Sequence, residues 1–156
     1  MTKPPQWARS SAGNPMLSYR GLSAVVFQTE FGWWSFNIFG LRDGPLWSAK
    51  FGCEEAALVA VEAAFAKHAQ PQGWRPRSLG EIWKERYPTT TKEDLEQAIA
   101  RTMRQIETIN DGLDSGAIEE KDEVNAHLHH TLIMRQYIKE MKQVLDETMV
   151  HKLEET

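Results

Sequence analysis

Leu95, Ile99, Thr102, Ile106, Ile109 and Leu113 recur at intervals of 4, 3, 4, 3 and 4 residues. That repeat lays one stripe along an α-helix and does not fit a strand, whose side chains alternate every second residue. A second series follows at intervals of 3 and 4: Val124, His127, Thr131, Met134, Ile138, Met141, Leu145 and Thr148. Between the two lie Asn110-Asp111-Gly112 and Ser115-Gly116, residues that end a helix and turn the chain. Thr89, Thr90 and Thr91 offer amino-terminal caps, with Glu93 and Asp94 in the first turn. Residues 91–156 are therefore predicted to form an antiparallel hairpin of two long helices. The first should end near Gly112 and the second should start near Glu119.

The second helix carries a further apolar row, Ala126, Ile133, Tyr137 and Val144, beside its seam. One partner helix cannot cover a face that wide. Either the upstream part of the chain or a second copy must pack there. The second copy would make a homodimeric four-helix bundle, with His127, Ile133, Met134, Tyr137, Ile138, Met141, Val144 and Leu145 at its interface.

Upstream of the hairpin the chemistry changes. Residues 1–80 hold eight Lys or Arg against five Asp or Glu, a net of +3; residues 81–156 hold ten against seventeen, a net of −7. Five of the six tryptophans precede residue 75. Such a split predicts two modules. The join falls in the Pro- and Gly-containing run from Gln70 to Ser78, which suits neither a helix nor a central strand. The expected organisation is a first module over 1–70, a linker with a short helix over 71–90, and the hairpin over 91–156.

Within the first module, Leu22–Thr29 and Trp33–Phe39 are rich in β-branched and aromatic residues and flank Gly32. A second turn, Arg42-Asp43-Gly44-Pro45, leads to a short strand over Leu46–Phe51. Cys53–His68 reads as a helix, with Glu54 and Glu55 in its first turn and Lys67 and His68 in its last. The predicted fold class is α+β: a three-stranded antiparallel β-meander with one packed helix, then the helical hairpin.

Trp33 and Trp34 are adjacent, so on a strand they face opposite ways. One reading makes these rings part of a small core. A second makes Trp33, Trp34 and Trp47 a stacking surface for a nucleotide or nucleic acid, with Arg20 and Arg42 for phosphates. A third uses exposed tryptophan to bind protein.

Sequence templates for catalysis are missing. The chain has no phosphate-binding glycine loop, no dinucleotide-binding glycine turn, no nucleophile elbow and no H-E-x-x-H pair. His127, His129 and His130 cluster, but on a helix His129 turns away from the other two. Even with Glu123 the set falls short of a supported zinc site. Cys53 stands beside two carboxylates, which oppose thiolate formation. The expectation is a chain without metal or cofactor that is not an enzyme.

A single cysteine excludes an internal disulfide and suits a reducing compartment. Neither a membrane-spanning run nor a signal-peptide core is apparent, so a cytoplasmic protein is expected. Trp7-Ala8-Arg9-Ser10, Gly13-Asn14, Val25-Val26-Phe27, Gly32–Ile38 and Glu54-Glu55-Ala56-Ala57 resemble, over residues 6–68, a class of small bacteriophage and prophage proteins. The resemblance implies a mobile-element origin, where short acidic proteins bind and block host machinery. The expected function is binding to a protein partner, as an inhibitor of a bacterial defence complex of the CRISPR-effector kind. Glu107, Asp111, Asp114, Glu119, Glu120, Asp122 and Glu123 would present the acidic surface, competing for a basic channel by charge complementarity. Nucleic acid stays an open alternative partner.

Overall fold

Each strand of the amino-terminal half pairs with its neighbours in sequence. The computed structural model describes residues 3–29, 32–47 and 50–154, and for 149–154 the backbone alone. Strands β1 (Gln6–Arg9), β2 (Pro15–Tyr19), β3 (Leu22–Gln28), β4 (Trp34–Phe39) and β5 (Leu46–Trp47) form one antiparallel sheet in the order β1-β2-β3-β4-β5. The meander thus has five strands where three were expected. The two additional strands come from the stretch before Leu22. Pro15 opens β2, a position where the missing N–H is tolerated. β5 is shorter than its predicted span, of which residues 48 and 49 lie outside the described residues, and Phe51 bridges back to Trp34.

Helix α1 (Glu54–Ala69) packs on β3 and β4. Its Ala57, Leu58, Val61 and Phe65 are buried, as are Leu17, Ala24, Val26, Phe36 and Ile38 of the sheet. The register explains which strand residues take part. Trp7, Leu17, Ala24, Ile38 and Leu46 form one cross-strand row on the helix side; Ala8, Met16, Val25, Asn37 and Trp47 form the neighbouring row on the opposite, outer face. Glu62 of α1 is 1% exposed and accepts hydrogen bonds from Trp7 Nε1 at 2.9 Å and from the Arg77 backbone N–H at 3.0 Å. The Arg77 guanidinium also grips it, Nε at 3.0 Å and Nη2 at 2.5 Å. This clasp fastens the edge strand and the segment after α1 to the same helix.

The β2–β3 turn is Arg20-Gly21, with positive φ at both residues, 44° and 84°. That conformation suits the twist of a two-residue hairpin. Gly40, at φ 92°, lies against this turn so closely that a Cβ there would be 2.1 Å from the Gly21 carbonyl oxygen. The contact brings the β2–β3 turn and the start of the β4–β5 connection together at one end of the sheet.

By contact the chain divides into two compact units, the described parts of 1–29 and 33–78 in one, and Gly32 with 79–154 in the other. The second unit holds α2 (Leu79–Arg86), α3 (Lys92–Asp114) and α4 (Lys121–Glu154). α3 and α4 pack along one another as the seams require. Leu95, Ile99, Thr102 and Ile106 are buried in α3, and Thr131, Ile138, Met141 and Val144 in α4. The seam threonines are satisfied by their own helices: Thr102 Oγ1 donates to the Ala98 carbonyl at 2.8 Å, and Thr131 Oγ1 to Leu128 at 2.8 Å. α3 runs through Gly112 to Asp114, and Gly116 at φ 75° makes the turn instead. Glycine in a helix is a weak stop when its φ stays helical, and here Ile118 folds back against Gly112.

The short helix expected in the linker, α2, packs on α4 and meets it at Glu147, three residues beyond Val144 of the second apolar row, while Ala126 at the other end of that row is exposed. The Gly80 N–H donates to the Glu147 carboxylate, and a Cβ on Gly80 would lie 2.8 Å from the Glu147 Cβ. Glycine is what lets α2 lie this close. At the start of α3, Thr91 and Asp94 make a reciprocal capping box, with Thr91 N to Asp94 Oδ2 at 3.0 Å and Asp94 N to Thr91 Oγ1 at 3.1 Å. Thr91→Ala is expected to lower stability by about 1 kcal/mol, read as a shift in denaturation midpoint. An unchanged midpoint would mean that the hairpin does not depend on its cap.

Candidate functional site

The candidate surface is the α3–α4 hairpin and the loop that joins its helices. Glu107, Asp111, Asp114, Glu119, Glu120, Asp122 and Glu123 are all solvent-exposed and cluster toward that loop. Asp122 and Glu123 stand in the first turn of α4, where the helix dipole favours them.

The two flanks of the hairpin differ. On one, Arg101, Arg104, Gln105, Thr108 and Ile109 of α3 face His130 and Met134 of α4 across an open groove of about 520 Å³. On the other, three large apolar residues stay in water: Met103, 48% exposed, Leu128, 46%, and Leu132, 48%. Helix geometry places them together. The groove residues fix one side of each seam, and at 100° per residue Met103 falls on the opposite side of α3, as Leu128 does on α4. The groove spans residues 101–109 of one helix and 130–134 of the other, so Met103 stands at the level of Leu132. Glu107 lies about 40° around α3 from Met103, and Asp114 about 20°. An apolar patch therefore runs into the acidic end of the hairpin along one flank.

Sequence reasoning marked the carboxylates and missed the three apolar residues. Met103 and Leu132 stand off the heptad seam, and Leu128 is hidden inside the histidine cluster. The signal available was that they fit neither seam nor the second apolar row of α4, whose Ile133 and Val144 are buried.

The residues assigned to a homodimer interface are mostly withdrawn from solvent within the single chain. Ile133, Ile138, Met141 and Val144 are buried, and His127, Met134, Tyr137 and Leu145 are half-buried. His129 is half-buried and His130 exposed at the groove. Among the described residues no three His, Cys, Asp or Glu side chains are grouped so as to hold a metal ion. Cys53 is buried at the amino-terminal cap of α1.

The five residues of the nucleotide-binding alternative do not form one surface. Trp33 is 8% exposed, with Lys50 Nζ 5.6 Å from its ring centroid, and Trp34 lies half-buried on the helix side of β4. Both stand at the end of β4 remote from the Arg20 turn. Trp47 is 64% exposed on the outer face, its ring edge-on to Phe39 at 6.3 Å. Arg20 lies over the Tyr19 ring at 5.6 Å, and Arg42 is exposed in the β4–β5 connection.

No helix among the described residues is long and apolar enough to cross a membrane. No family model, curated protein or solved structure matches the chain.

Proposed function

We propose that the chain is a non-catalytic protein-binding module whose contact surface is the apolar flank and acidic end of the α3–α4 hairpin. The observation that carries this reading is the half-exposure of Met103, Leu128 and Leu132 on one flank, continuous with Glu107 and Asp114. Three large apolar side chains grouped in water are costly unless a partner covers them, and such patches mark interaction sites. The fitting partner presents an apolar pocket rimmed by Lys and Arg. The phage-type resemblance extends the proposal to inhibition of a bacterial defence complex, the carboxylates standing where nucleic-acid phosphates would lie.

A tagged wild-type chain should retain a stoichiometric, nuclease-resistant protein from bacterial lysate. Retention should weaken as salt is raised, because exposed charge pairs are screened. The Leu128→Glu, Leu132→Glu double variant should lose that protein while keeping its circular dichroism. A variant that retains the same protein as wild type sinks this reading.

A further inference from the structure

The outer face of the sheet carries exposed aromatic rings at the end where the arginine-bearing turns meet. Phe39 is 45% exposed and Trp47 64%, their rings 80° apart. Phe39 ends β4, and Trp47 lies directly opposite Asn37 on the same face. The close approach of Gly40 to Gly21 puts the Arg20 turn beside the connection that carries Arg42. Asp43 shares that connection, so this end of the sheet is net positive by the two arginines against one carboxylate.

We propose that this ledge binds single-stranded nucleic acid, one base stacking on the Trp47 ring beside the edge-on Phe39, with its backbone toward Arg20 and Arg42. Every base has a face that stacks on an aromatic ring, and guanidinium groups at the rim attract the phosphates. The two guanidinium groups favour a phosphate-bearing chain over an uncharged aliphatic anchor, which would leave the positive rim unmatched. The surplus positive charge of residues 1–80 agrees in sign.

The test is fluorescence anisotropy of labelled oligo(dA), oligo(dC) and oligo(U) titrated with the full chain at low salt. Wild type should bind, with an affinity that falls as salt rises. Trp47→Ala should weaken binding about tenfold or more, and Trp47→Phe should recover most of the loss by restoring a ring. The Arg20→Gln, Arg42→Gln double variant should bind more weakly and show a shallower salt dependence. Circular dichroism checks that each variant folds. Failure of wild type to bind any of the oligonucleotides overturns the proposal, as does unchanged binding by Trp47→Ala. Retention by wild type of a nuclease-resistant protein that Trp47→Ala loses, with no oligonucleotide binding, assigns the ledge to protein instead. The hairpin variants bear on none of these outcomes, so this proposal and the functional one fail independently.

Discussion

Glu62→Ala is expected to lower the stability of the first unit by about 3–5 kcal/mol, the range for removing one partner of a buried ion pair. The carboxylate is 1% exposed and takes hydrogen bonds from Trp7 Nε1, from the Arg77 backbone and from the Arg77 guanidinium. Deleting it leaves an indole N–H and an amide N–H without the acceptor they use here, and removes the carboxylate from beside a guanidinium that is 27% exposed. Much of the loss is the cost of those stranded donors and not the strength of the pair itself. Glu62→Gln should recover little, since its amide nitrogen would face donors where an oxygen stood. Tryptophan fluorescence in urea is the suitable probe, because five of the six tryptophans lie before residue 75. A midpoint for Glu62→Ala within about 0.5 kcal/mol of wild type, the scale of an ordinary surface change, would show that the clasp contributes nothing.

Met141→Ala is the second large effect, expected at about 2–5 kcal/mol, from lost burial and the cavity left behind. Met141 is 0% exposed in α4, next to the fully buried Val144 three residues on. Met103→Ala is the matched control on α3: the same chemical change at a side chain 48% exposed should cost no more than about 0.5 kcal/mol. Far-ultraviolet circular dichroism in denaturant, dominated by the long helices, reads both. If the two variants are equally destabilised, Met103 is packed and the interaction surface loses its centre. If Met103→Ala is silent in folding yet weakens partner capture, its conservation of stability locates its role in binding.

The hairpin was readable in the sequence because its seams obey a 3–4 repeat over more than five turns of helix, and a pattern that long admits few alternatives. β3, β4 and α1 were likewise readable from composition and end chemistry. β1 and β2 were not. Gln6–Arg9 is flanked by Pro4 and Pro5 and alternates without strong apolar contrast, and β2 starts on Pro15. Their link to β3 was also masked, since Arg20 occupies a left-handed turn position where Asn or Asp is the usual signal. Gly112 was misleading for a related reason: a glycine ends a helix through its φ, and this one keeps helical geometry. The charged part of the candidate surface was legible as seven carboxylates near one loop. Its apolar part depended on knowing which side of each seam is open. The Phe39–Trp47 ledge depended on strand register, which no local pattern specifies.

The strictly sequential order of the sheet also bears on how the first unit folds in time. Each strand needs only a short loop closed to find its neighbour, so the meander can zip from any turn without a large entropic barrier. The Trp7–Glu62 bond is of another kind, joining residues 55 apart. Its closure needs strands and helix already docked, so Glu62→Ala is expected to speed unfolding in stopped-flow more than it slows folding. Interactions formed that late leave the folding rate nearly unchanged and act on escape from the native state. The clasp is in that sense a latch on unfolding: it lengthens the lifetime of the folded sheet without hastening its arrival.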